Sequence, residues 1–354
     1  MLHKLIATGI AMSFMQSSFS QDTTKKAVIT VTGNADVYYK YDFGETKGNN
    51  LTSFTNAHNS FELGMVSTKV SYKTEKAELV ADLGFGKRAQ EFSYNDEGIL
   101  AAVKQLYISY NIAKSVKLTA GSWATHVGYE MVDPNLNRNY SMSYMFTNGP
   151  FFHTGVKAEA AIGANGFMLG ITNPTDFKYV PDGLINNKFL VAQYSFTPGD
   201  AFKAFFNYVG GKNVDTTKSS QFDLVLTSKL SDRFNIGYNG TINRTTKYLG
   251  NKVFDDCKSW WGSALYLNFD PSPGLGLTLR TEYFNDDNAL KVYSGHLNGG
   301  HVLGTTLSAN IKSDHFIFIP EFRIDRGNND LFTNKKGASS NTAANFLLAA
   351  IYHF

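Results

Sequence analysis

The chain has 354 residues, a formal net charge of +3 and a single cysteine, Cys257. The near-balance of charge gives no reason to expect a nucleic-acid partner, and one cysteine excludes an intramolecular disulfide framework or a thiolate metal cluster. Aromatic residues reach 14%, with 19 Tyr and 28 Phe, while charged residues stand at 18%, below the usual level of about 25%; barrels in membranes use such an aromatic excess for interfacial girdles.

The first twenty residues, MLHKLIATGIAMSFMQSSFS, carry Lys4, an apolar core from Leu5 to Met15, and the small residues Ser18 and Ser20 before Gln21. This pattern predicts a secretory leader over 1–20, too short and wrongly flanked for a membrane span, and leaves one domain over 21–354. Beyond it no apolar run reaches the 18–20 residues or so of a transmembrane helix. A membrane location would therefore require a closed sheet, because lipid tolerates no unpaired backbone edge.

From Lys26 onward the chain alternates apolar and polar residues with a period of two. In VITVTGNADVYYKYDF, Val31, Ala35, Val37, Tyr39 and Tyr41 share one face, and Asn34, Asp36, Tyr38 and Lys40 the other. FELGMVSTKV changes phase at Gly64–Met65, which predicts a bulge. ELVADLGF sets Leu79, Leu83 and Phe85 against Glu78 and Asp82. Later runs, LGLTLRTEY and FIFIPEFRID, oppose Leu277 and Leu279 to Arg280 and Glu282, and Phe318 and Phe322 to Glu321, Arg323 and Asp325. Seven short connections, from Lys73–Lys76 to Ser313–Asp314, alternate with eight longer polar ones, among them Gly44–Asn59, His126–Phe152, Gly210–Ser219 and Lys247–Lys258. The expected fold is all-β: a transmembrane antiparallel up-and-down barrel of about sixteen strands, with short periplasmic turns and long outer loops. Fourteen or eighteen strands also fit.

The longest connection, His126–Phe152, far exceeds what a hairpin needs. It is rich in Asn and aromatic residues and is stiffened by Pro134 and Pro150. It is expected to fold into the mouth of the barrel and narrow the pore, the alternative being an exposed, variable loop. The chain ends in NFLLAAIYHF, whose last aromatic, Phe354, resembles the signal read by the barrel-assembly machinery. Alternation is weak there, since Leu347, Ala349 and Ile351 are also apolar.

Four segments carry a family resemblance: QLYISYN (Gln105–Asn111), LTAGSWATHVGYE (Leu118–Glu130), NRNYSMSYMFTNGPFFHTG (Asn137–Gly155) and LGITNPTD (Leu169–Asp176). On them the sequence resembles the OmpL-like β-barrel porin family of Gram-negative outer membranes. The resemblance implies a pore for small solutes and supplies no catalytic residues.

With the polar faces turned inward, the lumen would display Asp36, Glu78, Asp82, Glu159, Asp223, Glu282, Glu321 and Asp325 against Lys40, Lys117, Lys157, Lys203, Arg280, Lys312 and Arg323. Mixed signs across a narrow pore set up a transverse field. Within the insert, Glu130, Asp133 and Arg138 are candidates for a charged eyelet, and Tyr140 and Tyr144 for its stacking and hydrogen-bonding surface. His126 and His153 bracket the insert and read more simply as interfacial residues than as a metal site or pH sensor. The function expected is an outer-membrane porin: a passive, non-enzymatic channel for small polar solutes or ions, without metal or cofactor, in contact with outer-membrane lipid and compatible with a homo-oligomer. Two alternatives stand beside it. Asp255–Asp256, Asp286–Asp287, His296 and His301 could form a hydrolase site on the outer rim, or a plugged lumen could make the barrel structural or adhesive.

Overall fold

The computed structural model describes residues 27–250 and 253–354, so the expected leader lies outside the described residues. Among those described, sixteen strands form the barrel wall: β1 (Val28–Asp42), β2 (Ser60–Lys73), β3 (Ala77–Phe85), β4 (Val103–Ala113), β5 (Val116–Ala124), β6 (Phe152–Ile162), β7 (Asn165–Thr172), β8 (Phe189–Phe196), β9 (Phe202–Lys212), β10 (Thr217–Lys229), β11 (Phe234–Gly250), β12 (Lys258–Ser272), β13 (Leu275–Asp286), β14 (Gly300–Ser313), β15 (Phe316–Gly327) and β16 (Thr342–His353). Every strand pairs antiparallel with its sequence neighbours, and β1 closes on β16 with Asn34 opposite His353 and Asp42 opposite Asn345. Closure removes the free edge that lipid forbids. At the seam Phe354 exchanges both backbone hydrogen bonds with Gly33 at 3.0 Å. A Cβ at Gly33 would fall 2.7 Å from the Phe354 ring, so glycine lets the terminal aromatic lie on β1.

The expected bulge is present. The β1–β2 register jumps from Ala35–Val66 to Val37–Leu63, and Asp36 accepts the freed Met65 N–H at 3.0 Å. A Cβ at Gly64 would meet that carboxylate at 1.7 Å, which is why glycine stands there.

The outer face is apolar, with Phe61, Leu63, Leu106, Ile108, Val156 and Leu169 exposed. Aromatic pairs band both ends: Tyr39–Phe61 and Trp261–Tyr283 near the long loops, Phe316–Tyr352 near the short turns. Two connections expected to be long are not. Residues 213–216 are all that join β9 to β10, and β11 continues to Gly250. Lys218 pairs with Thr246 and Thr217 with Lys247. Both faces of this stretch are polar, so the apolar alternation stops while the hydrogen-bond ladder goes on. Two short helices, α1 (Lys87–Phe92) and α2 (Tyr144–Asn148), are too brief to leave a periodic pattern in the sequence.

Candidate functional site: the insert and the lumen wall

The connection between β5 and β6, residues 125–151, is shaped by its own side chains. Pro134 opens a 3₁₀ turn, Pro134–Leu136. The Asn137 side chain accepts from the Met131 N–H at 2.9 Å and donates to the Asp133 carbonyl at 3.3 Å, pinching the loop. Ser143 then caps α2 by accepting from the Phe146 N–H at 3.1 Å. These local bonds give the segment a fixed shape, and its charges and backbone groups meet partners around the inner wall.

Its first residues lie on the β7–β11 side. Gly128 N–H donates to Asp223 at 3.0 Å, and His126 sits 3.2 Å from the Tyr208 carbonyl oxygen. Burial lowers the His126 imidazole to about 4, so it is neutral at physiological pH. The chain then crosses to β12 and β13. Glu130 accepts from Arg280 at 2.6 Å, from the Tyr266 hydroxyl at 3.2 Å and from the Ser143 N–H at 2.8 Å. Asp133 reaches Lys104 on β4 and the Asn34 amide on β1, and Arg138 grips Asp270 near the short-turn end of β12. On the return, Tyr140 and Ser141 N–H groups donate to Glu321 at 2.8 and 3.2 Å. The Tyr140 hydroxyl donates to Asp36, and the Tyr144 N–H to Glu282 at 2.7 Å. Arg323 donates to the Met142 carbonyl at 2.8 Å and lies 5.0 Å over the Tyr144 ring.

This placement corrects two expectations. Glu130, Tyr140 and Tyr144 are buried against the wall. They do not edge an open eyelet, because the desolvated arginines and carboxylates of β13 and β15 require partners; only Asp133 and Arg138 of the five keep part of their side chains accessible. Asp36, Lys40, Asp82, Asp223, Arg280, Glu282, Glu321, Arg323 and Asp325 do point inward but are buried in hydrogen bonds and ion pairs, among them Arg280–Glu282, Arg323–Glu282, Arg323–Asp325 and Lys104–Asp82. The charges left accessible are a different set. Lys117 and Lys157 share Glu159 at 3.0 and 3.4 Å, Glu78 accepts from the Ser71 hydroxyl, Lys203 is half-buried and Lys312 exposed.

The insert also explains the weak alternation of the last strand. Leu347, Ala349 and Ile351 pack with Ile317, Ile319, Tyr38 and the insert's Tyr140, so their inner face meets protein and not water.

Three important residues escaped the sequence reading. Arg88, fully buried on α1, lies between the Phe54 and Tyr140 rings and donates to the Val132 carbonyl; nothing in KRAQEF signals this. Lys104 turns inward because the β3–β4 register shifts beside it. Asp176, the last residue of LGITNPTD, accepts from the Phe151 and Phe152 N–H groups at 2.7 and 3.0 Å and from the Tyr94 hydroxyl at 2.9 Å. It thereby holds the insert's exit, and burial pushes its carboxyl up to about 6. The rim acid Asp286 and the rim histidines are engaged with other partners. Asp286 accepts the backbone N–H groups of Leu290, Lys291 and Tyr293, His296 packs on Tyr293 and His301 on Tyr283. Among the described residues no group of three His, Cys, Asp or Glu could hold a metal ion.

The family model described as "Putative beta-barrel porin-2, OmpL-like" matches residues 28–354. No curated protein sequence matches the chain. Among solved structures, an anion-selective porin from Comamonas acidovorans superposes with a TM-score of 0.62 at 8% identity, covering 93% of this chain and all of that one. The trimeric form of OmpT, an outer membrane protein of Vibrio cholerae, gives 0.62 at 11% identity over 93% and 100%. OpdQ of Pseudomonas aeruginosa gives 0.51 at 10% identity over 93% and 98%. At such identities the likeness concerns the fold.

Proposed function

The chain belongs to the OmpL-like β-barrel porin family of the outer membrane, and from that premise we propose that it is a passive diffusion channel for small polar solutes, narrowed by residues 125–151. The observation that carries this reading is the asymmetry of the inner wall. Charges on β13 and β15 are consumed in fixing the insert, whereas Lys117, Lys157, Glu159 and Lys203 on β5, β6 and β9 stay accessible. A pore needs such a wetted wall beside a fixed constriction. Transport follows the solute gradient and needs no catalytic residue, metal or cofactor. Export by a leader over 1–20, assembly through the strand ending at Phe354, and association of copies belong to the same proposal.

Purified barrel in planar bilayers and in liposomes tests the reading. Discrete conductance steps are expected, with swelling rates that fall steeply as the added sugar grows. Replacing residues 126–150 by a short Gly-Ser linker is expected to raise the conductance several-fold. A silent bilayer with folded wild-type barrel would favour the plugged alternative.

A further inference from the structure

The mouth of the barrel at the long-loop end encloses a cavity of about 380 Å³, between the outer ends of β8–β12 and the exit of the insert. Its volume lies at the small end of ligand sites, which run from about 300 to 1,000 Å³. One wall is a ladder of amides and hydroxyls. Gln221 donates to Thr241 at 3.0 Å and accepts from Asn243 at 3.4 Å, and Asn243 accepts from the Thr245 hydroxyl at 3.0 Å. An amide carries two donor hydrogens and two acceptor lone pairs, so these bonds leave Gln221 and Asn243 with unused capacity.

Two further groups add to this wall. Lys291 is exposed, and its ammonium makes no hydrogen bond or ion pair among the described residues. Tyr94, 58% exposed, is held in place by its hydroxyl bond to Asp176. Asp176 and Asp215 against Lys291 give the lining a formal charge of −1, and both acids are already engaged, Asp176 by the Phe151, Phe152 and Tyr94 donors and Asp215 by the Thr217 N–H and hydroxyl. A charged ligand would thus shed water without meeting a full counter-charge, whereas hydroxyls, which donate and accept at once, match amides group for group.

We propose that this cavity is a recognition subsite for an uncharged polyhydroxylated solute, sugar-like or polyol-like, held by Gln221 and Asn243 against the face of Tyr94. The inference deepens the channel reading by naming the solute class, and binding can be measured whether or not the barrel conducts.

The test titrates the folded wild-type barrel in detergent with D-glucose, sorbitol, maltose and, as the charged counterpart of glucose, gluconate. Calorimetry and tryptophan fluorescence read binding, and single-channel recording runs in parallel. Saturable binding of at least one neutral probe is expected, with gluconate weaker. Gln221→Leu combined with Asn243→Leu should weaken it about tenfold, as expected for one or two lost hydrogen bonds; Tyr94→Ala is the second variant should the first not fold, as judged by heat-modifiable gel migration. The proposal is overturned by absence of neutral binding, by gluconate binding as tightly as glucose, or by unchanged affinity in a folded variant. A barrel that binds glucose but conducts nothing keeps the subsite and loses the channel; one that conducts but binds no sugar does the opposite.

Discussion

The two sides of the lumen are built from the same kinds of residue and put them to opposite uses. On the side of β12–β16 and β1, inward charges are sealed beneath the insert: Arg280 meets Glu130 and Glu282, Arg323 meets Glu282 and Asp325, and Glu321 takes two backbone N–H groups. On the side of β5, β6 and β9, lysines stand beside a single shared glutamate with water access. Alternation alone aims a side chain inward. Whether it faces water or protein depends on where a distant loop comes to rest. A buried ion pair is a poor source of net stability but is costly to break from one side, so the sealed half should act as a clamp and the open half as a selectivity surface.

Breaking the clamp gives the largest expected effect. Arg280→Ala removes donors to Glu130, the Ser141 carbonyl and the Thr306 hydroxyl, leaves Glu130 buried without its cation and leaves Glu282 to Arg323 alone. A loss of about 3–5 kcal/mol is expected, read as a lower urea midpoint together with noisier, larger conductance as the insert loosens. If the variant unfolds at the wild-type midpoint, the two sides do not differ in the way argued here.

Much of this was legible in the chain. Strand faces, the bulge at Gly64–Met65 and the rhythm of short and long connections follow from the period of two, which one-sided burial imposes wherever a strand meets lipid. The insert was visible as a connection too long and too aromatic to be idle. Its partners were not, since Glu130 and Arg280, or Tyr140 and Asp36, are brought together by closure of the barrel and have no local signature. The extension of the wall at Lys218 and Thr246 was also hidden, because a strand with two polar faces resembles a polar loop. Asp176 was within sight, in a motif that carried the family resemblance, but its role depends on backbone donors at Phe151 and Phe152 that no pattern of side chains announces.

Asp176 offers an intermediate effect that sharpens the comparison, since it fastens the insert from outside the barrel wall. Burial raises its carboxyl from an ordinary 3.8 to about 6 in the folded protein. The folded state therefore holds the proton more tightly than the unfolded one, so this contribution to stability is fully present below about pH 4 and is lost as pH rises through 6. The slope is on the order of 1 kcal/mol per pH unit within that window. Urea midpoints measured from pH 7 to 4 should show a component that rises on acidification and is missing in Asp176→Asn. An identical slope in the variant would assign the titration to another group.

The open side should yield the smallest change in stability and a clear change in function. Lys117 and Lys157 share Glu159, and Lys203 makes no ion pair among the described residues, so the accessible wall of β5, β6 and β9 carries more positive than negative charge. Removing Lys117 and Lys203 together, as alanines, should leave the urea midpoint within about 0.5 kcal/mol of wild type, as for solvated side chains elsewhere. The same double variant should move the reversal potential in a salt gradient towards cations, with a larger shift at low ionic strength, where screening is weakest. Stability and selectivity are then separable by position: a charge beneath the insert changes whether the barrel holds its shape, and a charge beside water changes which ions pass. Reversal potentials that respond to Arg280→Ala but ignore both lysines would place the conducting path on the sealed side and reverse the assignment.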